Sequence, residues 1–91
     1  MKAHKETYME TLKTYLNSLT PDEQDAFAIK CGTSIGYMRK AITKNTKLGP
    51  ILSVKIEQNS NGVVTRKDLH PDDWGQIWPE LSLHNNAKVA A

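Results

Sequence analysis

The middle of the chain reads Phe27-Ala28-Ile29-Lys30-Cys31-Gly32-Thr33-Ser34-Ile35-Gly36-Tyr37-Met38-Arg39-Lys40-Ala41-Ile42. Gly32 is typical of a helix end, because glycine adopts the left-handed backbone found there without strain. Ser34 follows closely and can cap a second helix that begins at Ile35. Ala28 is small, which lets the second helix cross close to the first. The stretch therefore predicts two short helices joined by a tight turn, a helix-turn-helix.

The second predicted helix has two chemically different sides. Met38 and Ala41 fall on the side that faces Phe27 and Cys31 of the first helix. The opposite side carries short or cationic residues that can approach a DNA groove. Together with flanking positions, the predicted DNA-binding residues are Gln24, Thr33, Ser34, Gly36, Tyr37, Arg39, Lys40, Thr43, Lys44 and Lys47.

Side-chain chemistry predicts different roles within this set. Arg39 is the first choice for a base contact, because a guanidinium can donate two hydrogen bonds to guanine. Lys44 and Lys47 suit phosphates, which contribute affinity without sequence preference. The alternative for these lysines is that they face water. Gly36 is expected to let the backbone come close to the duplex.

Four further residues keep two interpretations each. Ser34 caps the second helix, donates to a phosphate, or does both. Tyr37 either hydrogen-bonds a phosphate through its hydroxyl or packs its ring at the helix edge. Lys40 reads a base or a phosphate, and Gln24 either touches the DNA backbone or serves only the fold.

The charge of the chain is concentrated in its centre. The 12 Lys and Arg residues against 10 Asp and Glu residues give a net charge of only +2. Residues 26–56 nevertheless contain six of the basic residues and no acidic one. Such asymmetry suggests a polyanionic partner, and the alternative is a solvated face.

Helices are also predicted on both sides of the central stretch. Residues 4–19 carry apolar side chains at helical spacing. Thr20 then caps the helix that precedes Gly32. Downstream, a helix is predicted that begins at Pro50, runs through Ile56 and is closed by residues 59–62, and a single capped turn is predicted over residues 65–69.

A last helix is predicted between Pro71 and Pro79, because proline suits the first helical position and stops a helix that precedes it. Two aspartates lie in its first turn, where the helix dipole favours acids. No segment predicts a strand convincingly. We therefore expect an all-α fold, with one helical domain over residues 1–81 and a flexible tail over residues 82–91.

Several classes of protein are disfavoured by composition. With 91 residues the chain has room for about one core, and no apolar run approaches the ~20 residues of a membrane helix or the pattern of a secretion signal. The single cysteine, Cys31, favours a reducing cytoplasm. His4, His70 and His84 lack the spacing of metal ligands. Because no nucleophile, acid and base cluster together, we expect neither an enzyme nor a cofactor.

Two blocks of sequence resemble the YdaS group of Cro-like phage regulators. They are Cys31-Gly32-Thr33-Ser34-Ile35-Gly36-Tyr37-Met38-Arg39, and Val64-Thr65-Arg66-Lys67-Asp68-Leu69-His70-Pro71-Asp72-Asp73-Trp74 with Ile77-Trp78-Pro79-Glu80-Leu81. The resemblance covers roughly residues 20–81. It does not include the first helix, and the linker over residues 43–50 is less arginine-rich than in that family.

This resemblance implies a compact five-helix lambda-repressor/Cro-like domain that represses transcription in a prophage or plasmid, in the cytoplasm of a bacterial host. Its recognition helix would run from Ile35 to about Thr43. Repressors of this type commonly bind an inverted-repeat operator as homodimers. Because the group is also described as the antitoxins of toxin and antitoxin pairs, a cognate toxin is a further expected partner.

Two tryptophans mark the end of the predicted domain. Burial of Trp74 and Trp78 in the core is the first expectation. The alternative is that they form, with Val63 and Leu69, the two-fold contact of a homodimer. A second functional hypothesis follows, in which the chain is a protein-interaction module, such as an antitoxin that docks on a toxin through residues 74–81.

Overall fold

The computed structural model describes residues 9–82, and within this range it contains helices and no strand. The helices are α1 (Glu10–Asn17), α2 (Pro21–Lys30), α3 (Ile35–Lys44), α4 (Pro50–Asn59), α5 (Arg66–Leu69) and α6 (Trp74–Ile77). The all-α prediction is confirmed for this range. The predicted start of the first helix, at residues 4–8, and nearly all of the predicted tail lie outside the described residues.

Short capping motifs start two of the helices where the sequence predicted. At α2, Thr20 Oγ1 accepts a hydrogen bond from the Glu23 backbone N–H, and the Thr20 N–H donates to the Glu23 carboxylate. Thr65 and Asp68 make the same reciprocal pair at α5. Each pair satisfies two backbone N–H groups that the start of a helix would otherwise leave without an acceptor.

Gly32 allows the tight turn between α2 and α3. Its φ of +86° lies in the left-handed region. The Gly32 N–H donates to the Ile29 carbonyl at 2.9 Å, and the Thr33 N–H donates to the Ala28 carbonyl at 2.9 Å. This pair of bonds is the Schellman ending of a helix, and it leaves Ser34 in position to cap α3.

The core begins where α1, α2 and α3 meet and extends through Leu48, Ile56, Val64 and Leu69. Leu12 and Leu16 of α1 are fully buried, and each contributes about 2 kcal/mol of hydrophobic stabilisation. Met38 of α3 is buried against the same cluster, and the rings of Tyr15 and Phe27 meet edge to face with centroids 5.1 Å apart. α1 therefore fixes the orientation of α3 from the inside.

The C-terminal part differs from the sequence prediction. Residues 71–73 form a turn, α6 covers only Trp74–Ile77, and helix resumes at Pro79. α6 ends at Ile77, just before Pro79, as predicted, whereas the predicted start at Pro71 is wrong. The reason is His70, which is buried, with Nε2 lying 2.7 Å from the Leu48 carbonyl oxygen. The chain turns around this anchor before it can become helical. Pro79 follows the end of α6 and also occupies the first position of the helical turn that comes next.

Candidate nucleic-acid interface

The outer side of α3 is open to solvent while its inner side is buried. Met38 and Ala41 belong to the core. Of the predicted contacts on or beside α3, Arg39 and Thr33 are half-buried, and the remainder are exposed: Ser34, Gly36, Tyr37, Lys40, Thr43, Lys44 and Lys47. The structure therefore brings these side chains to one side of α3 and its flanking turns, with no acidic residue between positions 26 and 56.

Ser34 and Gly36 lie at the start of α3 and differ in what they contribute to the fold. Ser34 Oγ accepts a hydrogen bond from the Tyr37 backbone N–H at 3.1 Å, so the predicted cap is present. Its hydroxyl proton is not used in that bond and can still be donated. Gly36 stands in open space, since an added Cβ would meet only Ser34 Oγ, at 4.0 Å. The packing of the described chain therefore does not require a glycine at this position.

Arg39 is held by a residue of α2. Its Nη2 donates a hydrogen bond to Gln24 Oε1 at 3.0 Å. The Gln24 amide in turn donates through Nε2 to the Leu19 carbonyl oxygen at 3.1 Å. Both side chains are half-buried. The sequence placed Gln24 and Arg39 in one set of residues, but it did not pair them.

Shallow depressions lie on both sides of α3. One, of about 320 Å³, is lined by Met9, Glu10, Lys13, Arg39, Ile42, Thr43 and Asn45. The other, of about 240 Å³, is lined by Tyr37, Lys40, Ala41, Lys44 and Thr46. Lys13 of α1 was absent from the predicted site. Lys13 lies near Arg39 only because of the way α1 packs on α3, and no short-range sequence pattern predicts that packing.

Lys47 is not a free cation in the structure. Its Nζ lies 3.4 Å from Asp73 Oδ2, and Asp73 Oδ1 lies 3.0 Å from His70 Nδ1. Partial desolvation would raise the pKa of Asp73, but the hydrogen bond and charge of His70, followed by Lys47, outweigh it and hold the pKa below its ordinary value. A phosphate would therefore compete with Asp73 for Lys47.

The four residues of the predicted dimer contact separate into two groups. Leu69 has 0% exposure and Trp78 has 7%, because both pack inside this chain. The Trp78 ring meets His70 edge to face at 5.4 Å, and the Arg66 guanidinium lies 5.5 Å from it. Val63 is 56% exposed, while Trp74 is half-buried with Lys67 Nζ 4.3 Å from its ring. Only Val63 and Trp74 offer surface to a second molecule.

Groups that could support other chemistry are dispersed. Cys31 is buried, and burial raises the pKa of its thiol despite the nearby Asn59 amide and Lys55 charge. Within residues 9–82 no group of His, Cys, Asp and Glu side chains is arranged to hold a metal ion. In the same range no helix has the length and apolar character needed to cross a membrane. His4 and His84 lie outside the described residues.

Comparison with known proteins identifies a relative. No family model matches the chain. No solved structure matches it either. The chain is 38% identical over 61 residues to a prophage transcriptional regulatory protein of Escherichia coli K12, an alignment that covers 67% of this chain and 92% of the relative. The chain therefore belongs to the family of this prophage transcriptional regulatory protein.

Proposed function

We propose that the chain is a sequence-specific DNA-binding transcriptional repressor that acts by occupying operator DNA, with α2 and α3 as the helix-turn-helix of a Cro-like domain. The observation that carries the proposal is the two-sided character of α3. Its inner side is buried, and its outer side presents Lys40, Lys44 and half-buried Arg39, with no acidic residue between them in the sequence. Glu10 of α1 lines the depression beside Arg39 together with Lys13. A prophage transcriptional regulator among its relatives supports this role.

In the proposed complex, α3 lies in the major groove, with the depressions on its two sides facing the sugar-phosphate strands. Arg39 donates to a guanine edge. Gln24 uses only one of its five N–H donors, and the planar fork formed by the remaining donors suits that base. Lys40 and Lys44 contact phosphates. Lys13, beside Arg39, is a further phosphate contact from α1.

Three smaller features support the same arrangement. Gly36 destabilises the helix in which it stands, yet the folded chain has room for a side chain there. A close approach of DNA to the backbone at this position would explain why it is a glycine. Ser34 can cap α3 and donate its hydroxyl proton to a phosphate, and the Thr33 side chain lies beside it on the same turn. Lys47 joins the contact when a phosphate replaces Asp73.

The proposed functional unit is a homodimer on an inverted repeat, since half-sites about 34 Å apart place both recognition helices on one face of the duplex. Exposed Val63 and half-buried Trp74 are the candidates for the two-fold contact. The hypothesis of toxin docking through residues 74–81 has less surface available than the sequence suggested, because Trp78 is buried.

Footprinting on the DNA upstream of the chain's own gene, across a salt series, tests this function. We expect protection of an inverted repeat. If Lys13, Lys40, Lys44 and Lys47 each neutralise a phosphate, the logarithm of the binding constant falls against the logarithm of salt with a slope of roughly −3.6 per protomer. Lys44→Ala should reduce that slope by about 1, whereas Lys55→Ala, an exposed lysine of α4, should leave it unchanged. No protection at low salt would overturn the proposal.

A further inference from the structure

The hydrogen bonds of Gln24 fix the orientation of its amide group. Nε2 lies against the Leu19 carbonyl oxygen at 3.1 Å, and Oε1 lies against the Arg39 guanidinium at 3.0 Å. The reversed amide would set an oxygen against a carbonyl oxygen and an NH₂ group against a guanidinium, which can only donate. Both ends of the Gln24 amide are therefore hydrogen-bonded. The Leu19 carbonyl belongs to the backbone, so it anchors the amide that holds the more flexible Arg39 side chain.

This arrangement reduces the freedom of Arg39. A free arginine side chain loses rotamer entropy when it is immobilised. A guanidinium that is already tied to α2 has less to lose when it meets a base, because part of this cost was met on folding. The tie also limits the directions in which the remaining N–H donors can point.

We infer that Gln24 is a positioning residue for base recognition: it holds the Arg39 guanidinium in one orientation on the outer side of α3, so the preference for operator over other DNA depends on Gln24 through Arg39. The inference rests on the proposed function. It differs from the sequence expectation, in which Gln24 itself touches the DNA backbone. A backbone contact would act on all DNA alike and would not require Arg39.

A double-mutant cycle separates these two roles. The probes are a duplex enriched by the wild-type protein from a randomised pool and a scrambled duplex of the same length and composition. The variants are Gln24→Met, Arg39→Ala and the double variant, with affinities measured for both duplexes at one salt concentration. Methionine keeps the length and helix propensity of glutamine but removes both hydrogen bonds. Gln58→Met applies the same change at an exposed position of α4 and is the matched control.

We expect Gln24→Met to reduce the ratio of operator to scrambled affinity by about 3- to 10-fold, as for loss of one hydrogen bond. Arg39→Ala should reduce this ratio by about 5- to 100-fold. In the Arg39→Ala background, Gln24→Met should have no further effect on the ratio. Gln58→Met should behave like the wild type, and melting curves for all variants establish that each is folded at the assay temperature.

Three results would overturn the inference. If Gln24→Met keeps the wild-type affinity for both duplexes, Gln24 does not position Arg39. If Gln24→Met weakens binding to both duplexes equally, with or without Arg39, Gln24 is a backbone contact. If the wild-type protein enriches no sequence from the pool, the proposed function fails together with the inference, whereas the first two results leave the proposed function intact.

Discussion

Gly36, the second residue of α3, is a place where stability and the proposed function have opposite requirements. Glycine in a helix costs roughly 0.5–1 kcal/mol relative to alanine. A Cβ at this position would make only an ordinary contact, 4.0 Å from Ser34 Oγ. Gly36→Ala should therefore raise the melting temperature by about 2–8 °C. It should also weaken operator binding at least tenfold, roughly 1.4 kcal/mol, because the new methyl group meets the DNA.

The control for this prediction is Gly75→Ala. Gly75 is an exposed glycine of α6 with open space around it, and its substitution should leave operator affinity unchanged. Thermal melting followed by circular dichroism and fluorescence anisotropy with labelled duplex measure the two effects. A Gly36→Ala protein that binds the operator as tightly as the wild type would exclude close approach of DNA at this residue.

At the residue scale, the sequence was informative about exposure and less so about partners. A period of 3.6 residues separates Met38 and Ala41 from the outer side of α3, so the exposed positions could be predicted. The bond between Arg39 and Gln24 joins residues 15 positions apart, and that between Lys47 and Asp73 joins residues 26 positions apart. Such pairs depend on how the helices pack, which short-range patterns do not encode.

Between elements, Glu57 and Arg66 connect the end of α4 to the start of α5. Glu57 Oε1 accepts from both the Arg66 backbone N–H and its Nε, each at 2.8 Å. Desolvation would raise the pKa of Glu57, but these hydrogen bonds and the charge of Arg66 outweigh it and hold the pKa below its ordinary value. The unfolded chain therefore binds a proton at Glu57 more readily than the folded chain does, and acid favours unfolding.

The stability contributed by this pair is complete above the ordinary glutamate pKa, about 4.3, and is lost as the pH falls from there through the lowered folded-state pKa. Glu57→Gln should cost about 1–2 kcal/mol near pH 7 and should make the acid dependence of stability shallower. Urea unfolding at several pH values measures both effects. Glu80→Gln, at an exposed carboxylate 3.9 Å from the same guanidinium, should cost less than about 0.5 kcal/mol. Equal losses of unfolding free energy in the two variants would contradict the conclusion that Glu57 is the carboxylate that stabilises the fold through Arg66.

The helix boundaries show which elements a sequence can predict. The starts at Thr20 and Thr65 and the turn at Gly32 depend on residues within four positions of one another, and all three were predicted correctly. The start of the last helix was misplaced because its position is set by a bond from His70 to the Leu48 carbonyl, 22 residues away. Pro79 fits both a helix stop and a helix start and serves as both, since α6 ends just before it and helix resumes at it.

At the scale of the whole molecule, the C-terminal segment, which runs from α5 to residue 82, packs against the helices that carry the candidate interface. Leu69 belongs to the same buried cluster as Met38. His70 ties the linker before α4 to the turn before α6 through Leu48 and Asp73. The Trp78 ring covers His70 from the other side. We therefore expect residues 9–82 to unfold as one cooperative unit.

The two tryptophans of the chain, Trp74 and Trp78, both lie in this segment, so their fluorescence reports its unfolding while circular dichroism reports all the helices. In the wild type the two urea midpoints should coincide. His70→Ala leaves the buried Leu48 carbonyl without this partner and should cost about 2 kcal/mol. The tryptophan midpoint should then fall below the circular dichroism midpoint. Gln76→Ala, at an exposed position of α6, should keep the midpoints together. Separate midpoints in the wild type would show that the segment unfolds independently of the other helices and would contradict a single cooperative unit.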